Sequence, residues 1–108
     1  VADLRFFIEA LSPKTALLRL EGEFEGMAVY DVKEALLGAV EAAAAEEILV
    51  DFEKISYIDS SGVGVLLEMA GRAAAGKKRF GLVNVKDPVK KVLQVTKVDK
   101  VLPIYKVK

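Results

Sequence analysis

Three consecutive branched apolar residues, Ile48, Leu49 and Val50, stand between Glu47 and Asp51. A strand with one wet face alternates apolar and polar side chains, so an unbroken run reads as a strand covered on both faces. Such a strand needs helices, and the flanking sequence supplies them. From Met27 onward, Val29, Val32, Leu36, Val40 and Ala43 follow a three-to-four spacing, with Asp31, Lys33, Glu34 and Glu41 largely elsewhere. This predicts an amphipathic helix of about four turns. After the apolar run, Val63, Leu66, Leu67, Ala70 and Ala74 mark the buried stripe of a second helix, which Gly76 ends.

The remaining segments extend this alternation. "LRFFIE" and "TALLRLEGEF" are β-rich runs separated by a turn at Ser12-Pro13, and they read as an antiparallel pair. "KKRFGLVNV" supplies another strand. Pro88 suits the first turn of a third helix, "PVKKVLQVT", with Asp87 as its cap, and "VLPIYKV" closes the chain as a strand. The order β-β-α-β-α-β-α-β predicts an α/β fold with a mixed, largely parallel sheet packed by helices and right-handed crossovers. At 108 residues the chain suits one domain spanning 1–108, with no linker, internal repeat or low-complexity segment.

Composition narrows the chemistry. The chain has no cysteine and no histidine, which removes disulfides, thiolate or histidine metal sites, a cysteine nucleophile and any Ser-His-Asp triad. No window approaches a membrane span and the first twenty residues lack a signal-peptide pattern, so a cytoplasmic protein without direct membrane insertion is expected. The chain opens on Val1 rather than methionine, which suits a processed product or a domain cut from a longer protein. Charge is unevenly spread: residues 1–76 carry 6 basic and 14 acidic side chains, net −8, while residues 77–108 carry 10 basic and 2 acidic, net +8. Interleaving of the two segments in the fold would neutralise both. The basic third has one tyrosine, one phenylalanine and no nucleic-acid-binding motif, so no nucleic-acid partner is expected.

Two phosphate-binding patterns fail on inspection. "GRAAAGKK", Gly71 to Lys78, ends in lysine where a Walker A loop needs serine or threonine, and it lies at the end of a helix rather than opening one. "GVG", Gly62 to Gly64, begins a dinucleotide fingerprint but has Leu67 at the third glycine position. Asp51 and Asp59 could be imagined as a paired acid and base, but Asp51 suits the end of a strand and Asp59 a helix cap. No base stands ready for Ser60 or Ser61, so neither an enzyme nor a cofactor is expected.

What remains is "YIDSSGVGVLL", Tyr57 to Leu67. Asp59, Ser60 and Ser61 are all good helix-starting residues, yet a cap needs only one. Three in succession before Gly62 make an open polar corner beside unsatisfied N–H groups. A phosphate there would add roughly −1.5 to −2 charge, which a helix N-terminus can accommodate.

This stretch resembles the Asp-Ser-Ser-Gly-hydrophobic-Gly motif of STAS domains, the family named for sulfate transporters and anti-sigma-factor antagonists. The resemblance extends to "LLRLEGEF", "EILVDFEKISYIDSSG" and "VKKVLQVTKVDKVLPIY", nearly the whole chain. It implies a domain that is not an enzyme but an anti-anti-sigma factor. Such a factor binds an anti-sigma serine kinase while unmodified, is released by phosphorylation, and is restored by a serine phosphatase. By position the acceptor is Ser61, with Ser60 its neighbour and Asp59 and Gly62 shaping the loop. The chain departs from the family pattern in having Glu25 where an aspartate usually follows the second strand. It also has Lys97-Val98-Asp99 in place of a small-residue turn such as Gly-Leu. Both lie where a partner could touch.

Ser61, Val65, Glu68, Met69 and Arg72 share one face of the second helix. Val65 and Met69 are then either partly exposed, as part of a docking patch, or covered by a neighbouring helix. The other functional class open to such a domain is a regulatory or scaffolding part of a transporter, a transport accessory complex or a stress-signalling assembly.

Overall fold

The computed structural model describes residues 4–105. Its elements run β1 (Leu4–Ala10), β2 (Thr15–Phe24), α1 (Gly26–Ala42), β3 (Glu47–Ile58), α2 (Ser60–Ala75), β4 (Arg79–Val83), α3 (Asp87–Val95), a 3-10 turn (Val98–Lys100) and β5 (Ile104–Tyr105). The five strands lie side by side in chain order, with β1 antiparallel to β2 and each later pair parallel. The expected α/β fold, its element order and the antiparallel opening pair are therefore present.

One sheet face carries Leu18, Leu20, Ile48, Val50, Phe52 and Leu82, all at 0 or 1% exposure, in one core with Val29, Leu36 and Val40 of α1, Leu66 and Met69 of α2, and Val89 and Leu93 of α3. Phe24 and Phe52 meet edge to face at 5.9 Å inside it. Burying each such side chain contributes about 1.5–3 kcal/mol before chain entropy is counted. That energy ties the periodic apolar positions of the sequence to this core.

The other sheet face differs from the expectation. Its residues include Arg19, Glu47, Asp51 and Arg79, joined by ion pairs such as Arg79–Glu47 and Arg19–Asp51. Leu49 on that face is only partly buried. The run Ile48-Leu49-Val50 is thus covered fully on one side; on the other, Leu49 lies in a short apolar row between Leu17 and Gly81, flanked by the charged Arg19–Asp51 and Glu47–Arg79 rows. β3 also continues past Phe52 to Ile58, so Asp51 sits within the strand rather than at its end. Its carboxylate accepts bonds from the Asn84 side chain and the Glu53 N–H, both at 2.9 Å. That is a structural brace for the strand, not half of an acid–base pair.

Asp87 is the first residue of α3, not its cap; Lys86 holds that position, without a side-chain cap bond. The carboxylate still stands in the first turn, where the helix dipole favours it. Lys97 adopts φ 63°, the left-handed region, and Val98 behind it is 2% exposed. A glycine at this turn is the low-strain choice. The Lys97-Val98 departure therefore keeps the turn at a backbone cost and keeps the apolar anchor. In the closing strand, Ile104 and Tyr105 pair with β4, whereas Lys106 and Val107 lie outside the described residues.

The charge halves do interleave. Arg79 pairs with Glu47 and Lys86 with Glu53 across the division. These pairs are mostly exposed and add little stability, but they draw the basic third onto the acidic strand.

Candidate functional site: a corner where two helices begin

β2 and β3 are parallel neighbours, so the helices that follow them, α1 and α2, begin at the same end of the sheet. Asp59 stands between the two beginnings. Its Oδ1 accepts the Gly62 N–H at 3.1 Å and its Oδ2 accepts the Gly26 N–H, also at 3.1 Å. Glu25, the N-cap of α1, makes no side-chain cap bond of its own. One aspartate therefore caps both helices, one bond in its own chain segment and one across to Gly26, which sits at φ 54°.

This double role carries a stability prediction. A cap bond is worth about 1 kcal/mol, and bonds to an ionised carboxylate are stronger than neutral ones. Asp59→Ala is expected to cost about 2–3 kcal/mol, read from urea unfolding. Asp59→Asn, which keeps one acceptor oxygen, should cost about half as much. Equal stability of Asp59→Ala and the unaltered protein would remove the double cap.

Ser60 and Ser61 follow, both exposed. Among the described residues neither hydroxyl has a hydrogen-bond partner, and no acceptor takes their backbone N–H groups. Gly62 is buried. A Cβ at Gly62 would fall well inside contact distance of the Phe24 carbonyl oxygen and within 2.8 Å of Ile58 Cγ1 and 2.9 Å of the Phe24 ring. The serines thus stand on a turn whose next residue is wedged against the end of β2.

The docking face read from helical spacing needs correction. Val65 is 6% and Met69 0% exposed, because that side of α2 is turned toward α1. Lys33 of α1 reaches Glu68 at 3.1 Å, and Arg72 reaches Glu41 of α1 at 3.0 Å. Glu68 and Arg72 therefore bridge the helix pair, while Val65 and Met69 fill the space beneath. The buried arc of α2 is rotated from the expected stripe because it serves both the sheet and α1. Leu67, expected in the core, is 42% exposed, and Ala74 is exposed too. The outward face of α2 carries Ser60, Gly64, Leu67 and Gly71.

Met27 and Tyr30, in the first turns of α1, are not among the docking residues that the sequence suggests; they are 69% and 72% exposed. Helical spacing alone sets Tyr30 on the same side as Lys33 and Glu41, toward α2. Exposed Tyr57 precedes the corner on β3. Exposed apolar side chains thus stand in the elements that meet at the corner, and they are residues other than Val65 and Met69. Glu25 is half-buried at the start of α1.

The Gly71–Lys78 stretch lies in the last turns of α2 and its cap, and Lys78 Nζ donates to the Val40 and Glu41 carbonyls at 2.7 and 2.9 Å. It closes the C-terminus of α1. Among the described residues no cluster of acidic side chains is arranged to hold a metal ion, and no helix is long and apolar enough to cross a membrane.

A mixed sheet in this strand order, with a capped Asp-Ser-Ser-Gly corner, defines a STAS-type domain. A family model described as Mlab, STAS domain matches residues 8–104, and the chain belongs to the STAS-domain family of anti-sigma factor antagonists. The anti-sigma F factor antagonist of Lysinibacillus sphaericus is 30% identical over 91 residues, covering 84% of this chain and 78% of that protein. The unphosphorylated form of the anti-sigma factor antagonist SpoIIAA superposes with a TM-score of 0.78 at 29% identity, covering 96% of this chain and 89% of the other. The phosphorylated form of the Bacillus cell fate determinant SpoIIAA gives 0.71 at 28% identity, covering 96% and 92%. The chain is thus a homologue of anti-sigma factor antagonists, which are regulators rather than enzymes.

Proposed function

We propose that the protein is a phosphorylation-switched antagonist that acts in the cytoplasm. Unmodified, its Ser60–Ser61 corner and the exposed Met27 and Tyr30 of α1 and Leu67 of α2 dock on an anti-sigma factor that is also a serine kinase. Phosphorylation of Ser61 ends the binding, and a serine phosphatase restores it. The observation that carries this reading is the pair of unheld, exposed hydroxyls on a corner whose neighbouring groups are engaged. Asp59 binds two amides there and Gly62 is packed tight, so a modified serine changes surface charge without dismantling a cap. The SpoIIAA structures, one unphosphorylated and one phosphorylated, support the same reading for a similar protein.

The test is phosphosite mapping by tandem mass spectrometry on protein purified from its own cells in several growth conditions. Phosphate on Ser61, at a level that varies with condition, is the expected result. An unmodified Ser60–Ser61 peptide in every condition would overturn the switch. The second reading is a regulatory or scaffolding STAS domain of a transporter, a transport accessory complex or a stress-signalling assembly, since the matching family model is described by its domain and not by antagonist activity. Copurification with such an assembly, with no anti-sigma factor bound, is what that reading expects.

A further inference from the structure

β1 is the outer strand of the sheet: β2 lies on one side, and among the described residues nothing pairs with the other. Exposed edges are usually blunted by lysine, proline or a bulge. β1, "LRFFIEA", has neither residue, and its register with β2 runs unbroken from Leu4↔Gly22 to Ala10↔Ala16. Phe7 and Ile8 on it are 50% and 41% exposed. An edge so open and apolar is a template for another strand.

The charges on β1 say which strand fits. Arg5 and Glu9 lie on the same face, two residues either side of Phe7. We propose that β1 pairs with β1 of a second copy, antiparallel about a two-fold axis at Phe7, so that two sheets become one. That register sets Arg5 opposite the second copy's Glu9 at both ends and Phe7 opposite Phe7. On the helix-covered face it sets Phe6 opposite Ile8. Moving the axis to Phe6 or Ile8 destroys the Arg5–Glu9 match, so the sequence selects one register. A two-fold contact must be self-complementary, and this one is.

The charges within each copy extend the match. Arg5 already binds Glu21 at 3.0 Å and Glu9 binds Arg19 at 3.1 Å. Across the junction the open face therefore reads Glu21, Arg5, the second copy's Glu9, the second copy's Arg19, alternating in sign throughout. On the other face, an apolar groove of about 360 Å³ runs beside the same edge, lined by Ile8, Ala10 and Ala43 to Ala45 among others. The second copy's Phe6 comes down beside Ile8 at this groove. The flank of α1 turned away from α2 presents Ala28, Ala35 and Ala39, small enough for the second copy's α1 to approach.

Analytical ultracentrifugation of the 108-residue chain tests this. A dimer is expected within the micromolar to millimolar range. Arg5→Glu alone and Glu9→Arg alone should each weaken self-association about tenfold or more, since each places two like-charged pairs across the junction. An equimolar mixture of the two variants should form a heterodimer, because both ends of the junction then set an acidic side chain of one variant against a basic side chain of the other. Phe7→Lys, with two lysines meeting at the axis, should abolish the dimer. A chain that stays monomeric up to millimolar concentration overturns the proposal. So does a dimer indifferent to these substitutions, or a mixture of Arg5→Glu and Glu9→Arg that stays as monomeric as its components.

Discussion

Gly62→Ala is expected to destabilise the protein by about 3–5 kcal/mol, a large fraction of the about 5–15 kcal/mol typical of a domain. The added methyl meets the Phe24 carbonyl, Ile58 and the Phe24 ring at once. Phe24 is 0% and Ile58 1% exposed, and the Phe24 ring is fixed against Phe52, so the side chains have nowhere to turn. Relief requires the first turn of α2 to lift from the end of β2. That breaks the Asp59 bond to the Gly62 N–H and strains the Asp59 N–H bond to the Phe24 carbonyl. Gly64→Ala is the control. A Cβ at Gly64 meets nothing within 4 Å, and replacing a helical glycine by alanine is worth about 0.5–1 kcal/mol of added stability. The two variants, two residues apart, should therefore shift the urea midpoint in opposite directions. A Gly62→Ala protein within about 1 kcal/mol of the unaltered one, by the same linear extrapolation, would show that the corner is not wedged as described.

This pair of glycines marks the limit of what one sequence reveals. In "SGVG" they are alike, and the approach of Ile58 and of β2, an element that lies more than thirty residues upstream, distinguishes them. The same holds for Asp59. Its cap on α2 follows from local spacing, whereas its bond to Gly26 depends on β2 and β3 being neighbours. Apolar periodicity, together with the β-rich runs and the Pro88 start signal, locates all three helices and every strand in the described residues, because an apolar side chain on the wrong face costs more than local preference can offset. It misjudges the arc of α2, since a helix that packs on both a sheet and another helix buries a wider and rotated sector. Val65 and Met69 thus read as candidates for the surface and Leu67 as core. Leu49 reads as doubly covered because the charged rows that flank it on the open face, Arg19–Asp51 and Glu47–Arg79, are assembled across strands. Long-range neighbours, more than weak local signals, separate the readings that hold from those that do not.

The proposed switch has its own large effect. Ser61→Asp is expected to lower affinity for the anti-sigma factor about a hundredfold or more, while Ser61→Ala binds continuously and is blind to ATP. The magnitude follows from placing a charge in a desolvated contact, where like-charge juxtaposition or an unpaired charge costs several kcal/mol. Asp59 already contributes a negative charge to the corner, with its two oxygens turned to Gly26 and Gly62, so the second charge adds like-charge repulsion there. Loss of binding through misfolding predicts a different pattern. An acidic residue in the first turn of a helix is favourable by about 0.3–1 kcal/mol, so Ser61→Asp should unfold at the same urea concentration as the unaltered protein or slightly above it. Unchanged stability with collapsed affinity, measured by calorimetry against the cognate anti-sigma factor, is the combination that a charge switch alone produces. Equal affinity of Ser61→Ala and Ser61→Asp would rule the mechanism out, and a Ser61→Asp protein that binds poorly because it has lost its fold would assign the effect to the corner's architecture instead.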